Sequence, residues 1–267
     1  MALANTDEVL AALDEIVARA KREGDRVGYF ATLYRAVTAR VKEGIETGFF
    51  DDGPRMEKLD AVFANRYLDA LVAHERGDRP TRSWEVTFDA AARWRPIVLQ
   101  HLLVAINAHI NLDLGIAAAR VAPGNSLRAL RRDFDRINEI LASMVGGVRR
   151  NVGDVSPWIG LLDRIGGARK EVVINFSVRV ARREAWRFAT QLASLPEDRQ
   201  APLIRVRDKE VAALADRVLH PGVLSSGLTL IRLREGMNVP DTIRALSRFD
   251  PPELEVVEAR VEDPQAR

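Results

Sequence analysis

Along most of the chain, apolar residues return every three or four positions, the period of a helix with one buried face. Thr6 to about Arg22 carries Val9, Leu10, Leu13, Ile16 and Val17 on one side, with Thr6 a candidate N-cap and Gly24 a candidate stop. A second helix is predicted from about Arg26 to Glu46 through Phe30, Leu33, Val37 and Val41, and the run Gly48 to Pro54 breaks it. A third covers about Met56 to Glu75, with Leu59, Phe63, Tyr67 and Leu71 one turn apart. The turn Gly77 to Pro80 follows, and Thr81 or Ser83 caps the next element.

Pro96 opens a long apolar helix, where its missing N–H does no harm, and Pro123-Gly124-Asn125 ends it. Ser126 caps a helix to about Val145 with the stripe Leu127, Leu130, Phe134, Ile137, Leu141 and Met144. Gly146-Gly147 and Asn151 to Gly167 predict an irregular connection with one short helix. Further helices are expected from about Lys170 to Ser194, Pro196 to Leu219, Leu224 to Arg234 and Asp241 to Ser247. Strand-like alternation is nearly missing, and no internal repeat is found. The pattern therefore predicts an all-α fold: one multi-helix bundle over residues 1–250 around a central buried helix at about 97–119, then a loose charged tail at 251–267.

Composition narrows the chemistry. With 267 residues, 47% of them hydrophobic, an ordinary core can form. The chain has no cysteine, which excludes disulfides, thiol catalysis, zinc–thiolate sites and iron–sulfur clusters. A net charge of +2 gives no global field for nucleic acid. The bases are almost all arginine, a skew that suggests a GC-rich genome more readily than a function. Asp7 and Glu8 near the N-terminus, with no basic region before an apolar run, do not make a signal peptide, and a cytoplasmic protein is expected.

The long apolar helix carries the candidate chemistry. Ile97 to Ala119 contains Gln100, His101, Asn107, His109, Asn111 and Asp113, which makes it a poor membrane span. It is apolar on several sides, so other helices should enclose it and its polar groups should reach the interior. An unsatisfied buried amide or imidazole costs roughly 1–3 kcal/mol, and an unpaired carboxylate more. Each group then needs a partner: amides bonding across helices, histidines on carbonyls, Asp113 on an arginine, or a functional site. His109 and Asp113, at i and i+4, share a face one turn apart. That spacing suits a carboxylate orienting an imidazole, or two ligands of one metal.

Other helices offer partners. Asp60, Tyr67 and His74 fall within about 40° of one another on the third helix, by a turn of 100° per residue. Asp60 thus lies on an apolar face, where it is expected to pair with Arg66 or another arginine or to be held for function. Asn138 sits beside the Phe134–Leu141 stripe. Several standard sites are missing. Gly166 to Lys170 lacks the phosphate-loop pattern, Ser225-Ser226-Gly227 is no nucleophile elbow, and no glycine fingerprint follows a strand, so a Rossmann nucleotide is not expected.

Two runs carry a family resemblance: Met56 to Ala70, and Gln100 to Gly115 with its Asn-Ala-His-Ile-Asn-Leu-Asp core. Asp133 to Asn138 and Ala185-Trp186 fit less distinctively. Across about Val27 to Leu246 the chain resembles a bacterial family classed as domain of unknown function 5995. The family pattern has Leu-Gly where this chain carries Val104-Ala105, a change that touches no candidate residue. The resemblance implies an all-helical bacterial protein and marks Asp60, His101, Asn107, His109 and Asp113 as motif positions. It carries no activity with it.

The leading expectation is a small-molecule enzyme with its site in an inter-helix pocket. His101, His109, Asp113 and Asp60 are the candidate catalytic residues, and Asn107, Asn111, Tyr67 and Asn138 the candidate substrate contacts. The same His101, His109, Asp113 and Asp60 are candidate metal ligands, of types that suit iron, zinc or manganese in oxygenase or hydrolase chemistry. The alternatives are a metal-free lyase, cyclase or isomerase using His109 and Asp113, and a non-enzymatic helical scaffold or binding module with a structural polar core. A protein partner or a homo-oligomer is compatible with each.

Overall fold

Helix starts and stops follow local chemistry near the N-terminus and distant carboxylates further on. The computed structural model describes residues 2–155, 178–222, 225–236 and 238–248. Helix α1 (Thr6–Glu23) is capped by Asn5 rather than Thr6: the Asn5 side chain accepts from the Glu8 amide at 2.9 Å. Gly24 ends it at φ 69°, where a residue without Cβ meets no steric penalty. Helices α2 (Val27–Glu46) and α3 (Gly53–Glu75) follow, joined by the expected break. Asp133 accepts from the Asp51 and Asp52 amides at 2.7 and 3.1 Å and from the Arg55 guanidinium at 2.9 Å, which fixes the entry to α3.

Helix α4 (Arg82–Ala91) has no side-chain cap of its own. Neither Thr81 nor Ser83 supplies one, because Asp208, far along the chain, accepts from the Arg82 and Ser83 amides at 2.8 and 2.9 Å. Helix α5 (Val98–Ala108) is handled in the same way: the Val98 amide donates to Glu235 at 3.1 Å. Carboxylates at these positions also meet the partial positive charge of the helix start.

The central helix is one rod, Val98–Val121, interrupted in the middle. Its α-helical turns give way to a π turn at His109–Leu114, then resume as α6 (Gly115–Val121). A π turn has wider i→i+5 bonding and often marks a functional site. This rod is long and apolar enough to cross a membrane, and 89% of its most apolar window is buried inside the fold. Helices α2 and α4 pack against α5, and α3 packs against the π turn and α6.

After a short 3₁₀ turn at Gly124–Ser126, helix α7 (Leu127–Val155) runs on through Gly146-Gly147 instead of breaking there. Paired glycines weaken a helix by about 1 kcal/mol each without forbidding it. The expected connection beyond Val155 and the tail at 251–267 lie outside the described residues. Helix α8 (Val178–Ala193) packs against α6 and the π turn, and α9 (Gln200–Leu219) against α4 and α5. Helices α10 (Ser225–Arg234) and α11 (Val239–Ser247) come last, with α11 lying on α1, α2 and α7. Gly115 faces α8 with no room to spare: a Cβ there would stand 2.7 Å from Phe188 Cδ1 and 2.9 Å from the Ala185 carbonyl oxygen.

Candidate functional site

The π turn delivers His109 and Asp113 into the space between α2, α3 and α4. Asp113 is fully buried and held at both oxygens. Its Oδ1 accepts from Arg66 Nε at 3.0 Å, and its Oδ2 accepts from Trp84 Nε1 at 2.7 Å. The arginine partner that burial demands is therefore Arg66, which is not spent on Asp60. His109 Nδ1 stands 3.7 Å from Asp113 Oδ2, close enough to feel the charge and too far for a hydrogen bond.

Five rings surround the His109 imidazole. Phe63 stacks on it with centroids 3.6 Å apart and planes 12° from parallel. Tyr34 approaches edge-on at 4.5 Å and Phe30 at 5.4 Å, with Trp84 at 6.2 Å and Tyr67 at 6.3 Å. Phe63 is the half-buried member; the other four are buried. Packed among these rings the imidazole is cut off from water, so burial pushes the His109 pKa down, opposed in part by Asp113.

A set of buried polar atoms in this region has no hydrogen-bond partner among the described residues. They are both nitrogens of His109, the hydroxyls of Tyr34, Thr38 and Tyr67, and Asp60 Oδ2. Thr38 approaches the Tyr34 phenol without bonding to it. Burial, helped by the Glu57 charge, raises Asp60 to about 7, so its carboxyl holds a proton through mildly acidic pH. Burial also raises both tyrosines, Tyr34 with help from the charges of Asp60 and Asp113.

The remaining expected residues lie elsewhere. His101 sits one end of α5 away in a different cavity, with Nε2 unpartnered, and burial takes its pKa to about 3. Asn107 donates to the Val211 carbonyl at 2.8 Å and accepts from Asn111 Nδ2 at 2.9 Å, while Arg207 donates to the Asn111 carbonyl. The Asn107 amide and the Asn111 backbone carbonyl thus tie the central helix to α9. Asn138 accepts from Arg182 Nε at 2.8 Å, a bond between α7 and α8. The four-ligand metal set His101, His109, Asp113 and Asp60 is not assembled. Among the described residues no three His, Asp or Glu side chains come together as ligands, and both oxygens of Asp113 already accept hydrogen bonds.

Tyr34, Phe63 and Trp84 complete the site without having been singled out for it. Aromatic residues on a buried helix face look the same whether they pack a core or surround an imidazole.

No curated protein and no solved structure matches the chain. A family model described as "Family of unknown function (DUF5995)" matches residues 6–221, and the chain belongs to that family.

Proposed function

We propose that the protein is a metal-free acid/base enzyme acting on a small molecule, of lyase, cyclase or isomerase type, with His109 as the proton acceptor. The observation that carries this reading is the imidazole itself: buried, neutral, without a hydrogen bond at either nitrogen, and beside a fixed carboxylate. Each unmet buried polar atom costs roughly 1–3 kcal/mol, and a cluster of them around one imidazole suits a site that a ligand completes.

The roles follow from the environments. Asp113 favours the tautomer with its proton on Nδ1 and leaves the Nε2 lone pair free to take a proton. Arg66 and Trp84 fix Asp113, so it orients rather than reacts. Asp60, raised to about 7, carries a proton it can give. One group kept basic and one kept acidic is the arrangement acid/base chemistry needs near neutral pH. The substrate proton passes to His109, and the leaving or rearranging atom takes the Asp60 proton. Catalytic hydrogen bonds commonly tighten only when substrate is present.

The scaffold reading is favoured by one observation, the bonds of Asn107 and Asn111 to α9, which knit the bundle without any ligand. The test is to incubate the full chain with a mixed extract of small metabolites and follow consumption by mass spectrometry. His109→Gln and Asp60→Asn are run beside it, with helical content checked by circular dichroism. A compound consumed by the wild type and spared by both folded variants supports the reading. Consumption that persists in His109→Gln, or no consumption by the wild type, overturns it.

A further inference from the structure

The end of the bundle where α4 stops and α5 begins carries apolar and basic side chains that the fold leaves uncovered. Residues 92–95, which lead out of α4, are all exposed, and they include Arg93, Trp94 and Arg95. Arg232 of α10 donates from Nε to the Trp94 carbonyl, which pins this loop to that helix. Helix α10 is seated by its inner face: Ile231 is buried, and so is Glu235 just past its end, where it receives the Val98 amide. At about 100° per residue, that seating turns Leu230 and Leu233 outward, about 60° apart. Trp94 and Leu230 are 52% exposed and Leu233 is 68% exposed. A single exposed leucine needs no explanation, whereas large apolar side chains gathered at one end of a fold mark a contact surface.

The charges on the loop are of one sign. Arg93 and Arg95 make no ion pair among the described residues, and Asp89, one turn back on α4, is bonded to neither. Arg26 reaches the same place, its NH1 donating to the Ala91 carbonyl at 3.2 Å, and it too has no ion pair among the described residues. Arg232 differs, because Glu235 accepts from it at 3.0 Å. The charges of Arg26 and Arg232 both act on His101 in the first turn of α5, so the loop and α10 meet near the start of that helix. In a chain with a net charge of +2, these uncompensated arginines are a local feature.

We infer that this surface docks the protein on an anionic lipid bilayer, with Trp94, Leu230 and Leu233 entering the boundary between headgroups and acyl chains and Arg93 and Arg95 on lipid phosphates. Tryptophan and leucine suit that boundary, and arginine reaches back from it along an apolar stem. A second copy of the chain fits worse, since a two-fold contact sets Arg93 and Arg95 against their own counterparts. Nucleic acid would engage the arginines and stack on Trp94, but it leaves both leucines without a role. The docking is peripheral, because the rod long enough to cross a membrane, Val98–Val121, is the buried centre of the fold. The inference stands apart from the proposed chemistry, because none of these side chains belongs to the group around His109.

The test is sedimentation of the full chain with vesicles of phosphatidylcholine alone and of phosphatidylcholine mixed with phosphatidylglycerol. Tryptophan emission is followed in parallel on anionic vesicles whose acyl chains carry bromine, a short-range quencher. Saturable binding to the anionic vesicles and none to the neutral ones is expected, weakening as salt is raised. Arg93→Gln combined with Arg95→Gln should weaken it at least tenfold, since each arginine at an anionic surface contributes roughly fivefold. Leu230→Ser combined with Leu233→Ser should also weaken it at least tenfold, and Trp94→Phe should remove most of the quenching. No binding to anionic vesicles, equal binding to neutral ones, or binding unchanged in either double variant would each overturn the inference. Tighter binding to a DNA duplex than to the anionic vesicles would give the surface to nucleic acid, and a dimer undone by the leucine substitutions would give it to a second copy; either result rejects the bilayer. Should the leucine variant lose helical content by circular dichroism, the bromine quenching decides, and quenching unchanged in Trp94→Phe rejects the docking.

Discussion

Phe63 lies face to face with His109, ring on ring at 3.6 Å, and it is the one ring of the cage that reaches the surface. The stack keeps water from the imidazole, and burial is the main cause of its lowered pKa. Phe63→Ala admits water and relieves that desolvation. The expected outcome is a His109 pKa moved upward toward its ordinary value of 6.5, read by nitrogen NMR across pH 4 to 8. A His109 titration unchanged in Phe63→Ala would show that the ring does not seal the site.

Asp60 makes stability depend on pH in the direction opposite to the buried histidines. Its folded pKa of about 7 lies above the ordinary 3.8, so the folded state holds the proton more tightly. That contribution is complete below about pH 4 and is lost as pH rises toward 7, at up to about 1.4 kcal/mol per pH unit. His101 and His109 are lowered, so their neutral forms support the fold above pH 6.5, and this support falls as acid charges them. Asp60→Asn should therefore gain stability relative to the wild type as pH is raised from 4 to 7. Urea midpoints at several pH values measure the difference, and parallel pH profiles would contradict it.

Trp84→Phe removes the indole N–H from Asp113 Oδ2 and keeps the aromatic bulk. A buried carboxylate oxygen without its donor costs about 1–3 kcal/mol, to be read by urea unfolding. With its oxygen released, Asp113 should also draw on His109 more strongly and raise the imidazole pKa. A loss of stability without that rise would mean the two side chains are not coupled.

Gly115→Ala should destabilise the protein by about 1–3 kcal/mol. The added Cβ meets the Ala185 carbonyl, which belongs to the backbone of α8 and cannot rotate aside. A thermal midpoint equal to that of the wild type would show that α8 can shift at no cost.

Much of the bundle was legible because burial on one face imposes a helical period. The stripe Leu127, Leu130, Phe134 and Ile137 is buried as its spacing predicts. The capping of α4 and α5 was not legible, since Asp208 and Glu235 approach from remote segments. The π turn was also hidden, because no residue type demands i→i+5 bonding. The pairing of His109 with Asp113 was visible as spacing, and Asn107 with Asn111 has the same i, i+4 spacing. Spacing alone could not separate them. The difference lies in what faces each pair: aromatic rings and Trp84 for one, backbone carbonyls and Arg207 of α9 for the other.

The carboxylates at the helix starts bear on how the chain reaches its fold during synthesis. Asp133, Asp208 and Glu235 stand 82, 126 and 137 residues from amides they accept at the starts of α3, α4 and α5. An N-terminal portion emerging first contains those helices with their leading amides still bonded to water. Contacts between such distant residues close late and slow the approach to the native state. The central helix is thus seated by residues made after it, and the pocket it carries takes shape only once the C-terminal half of the chain has docked.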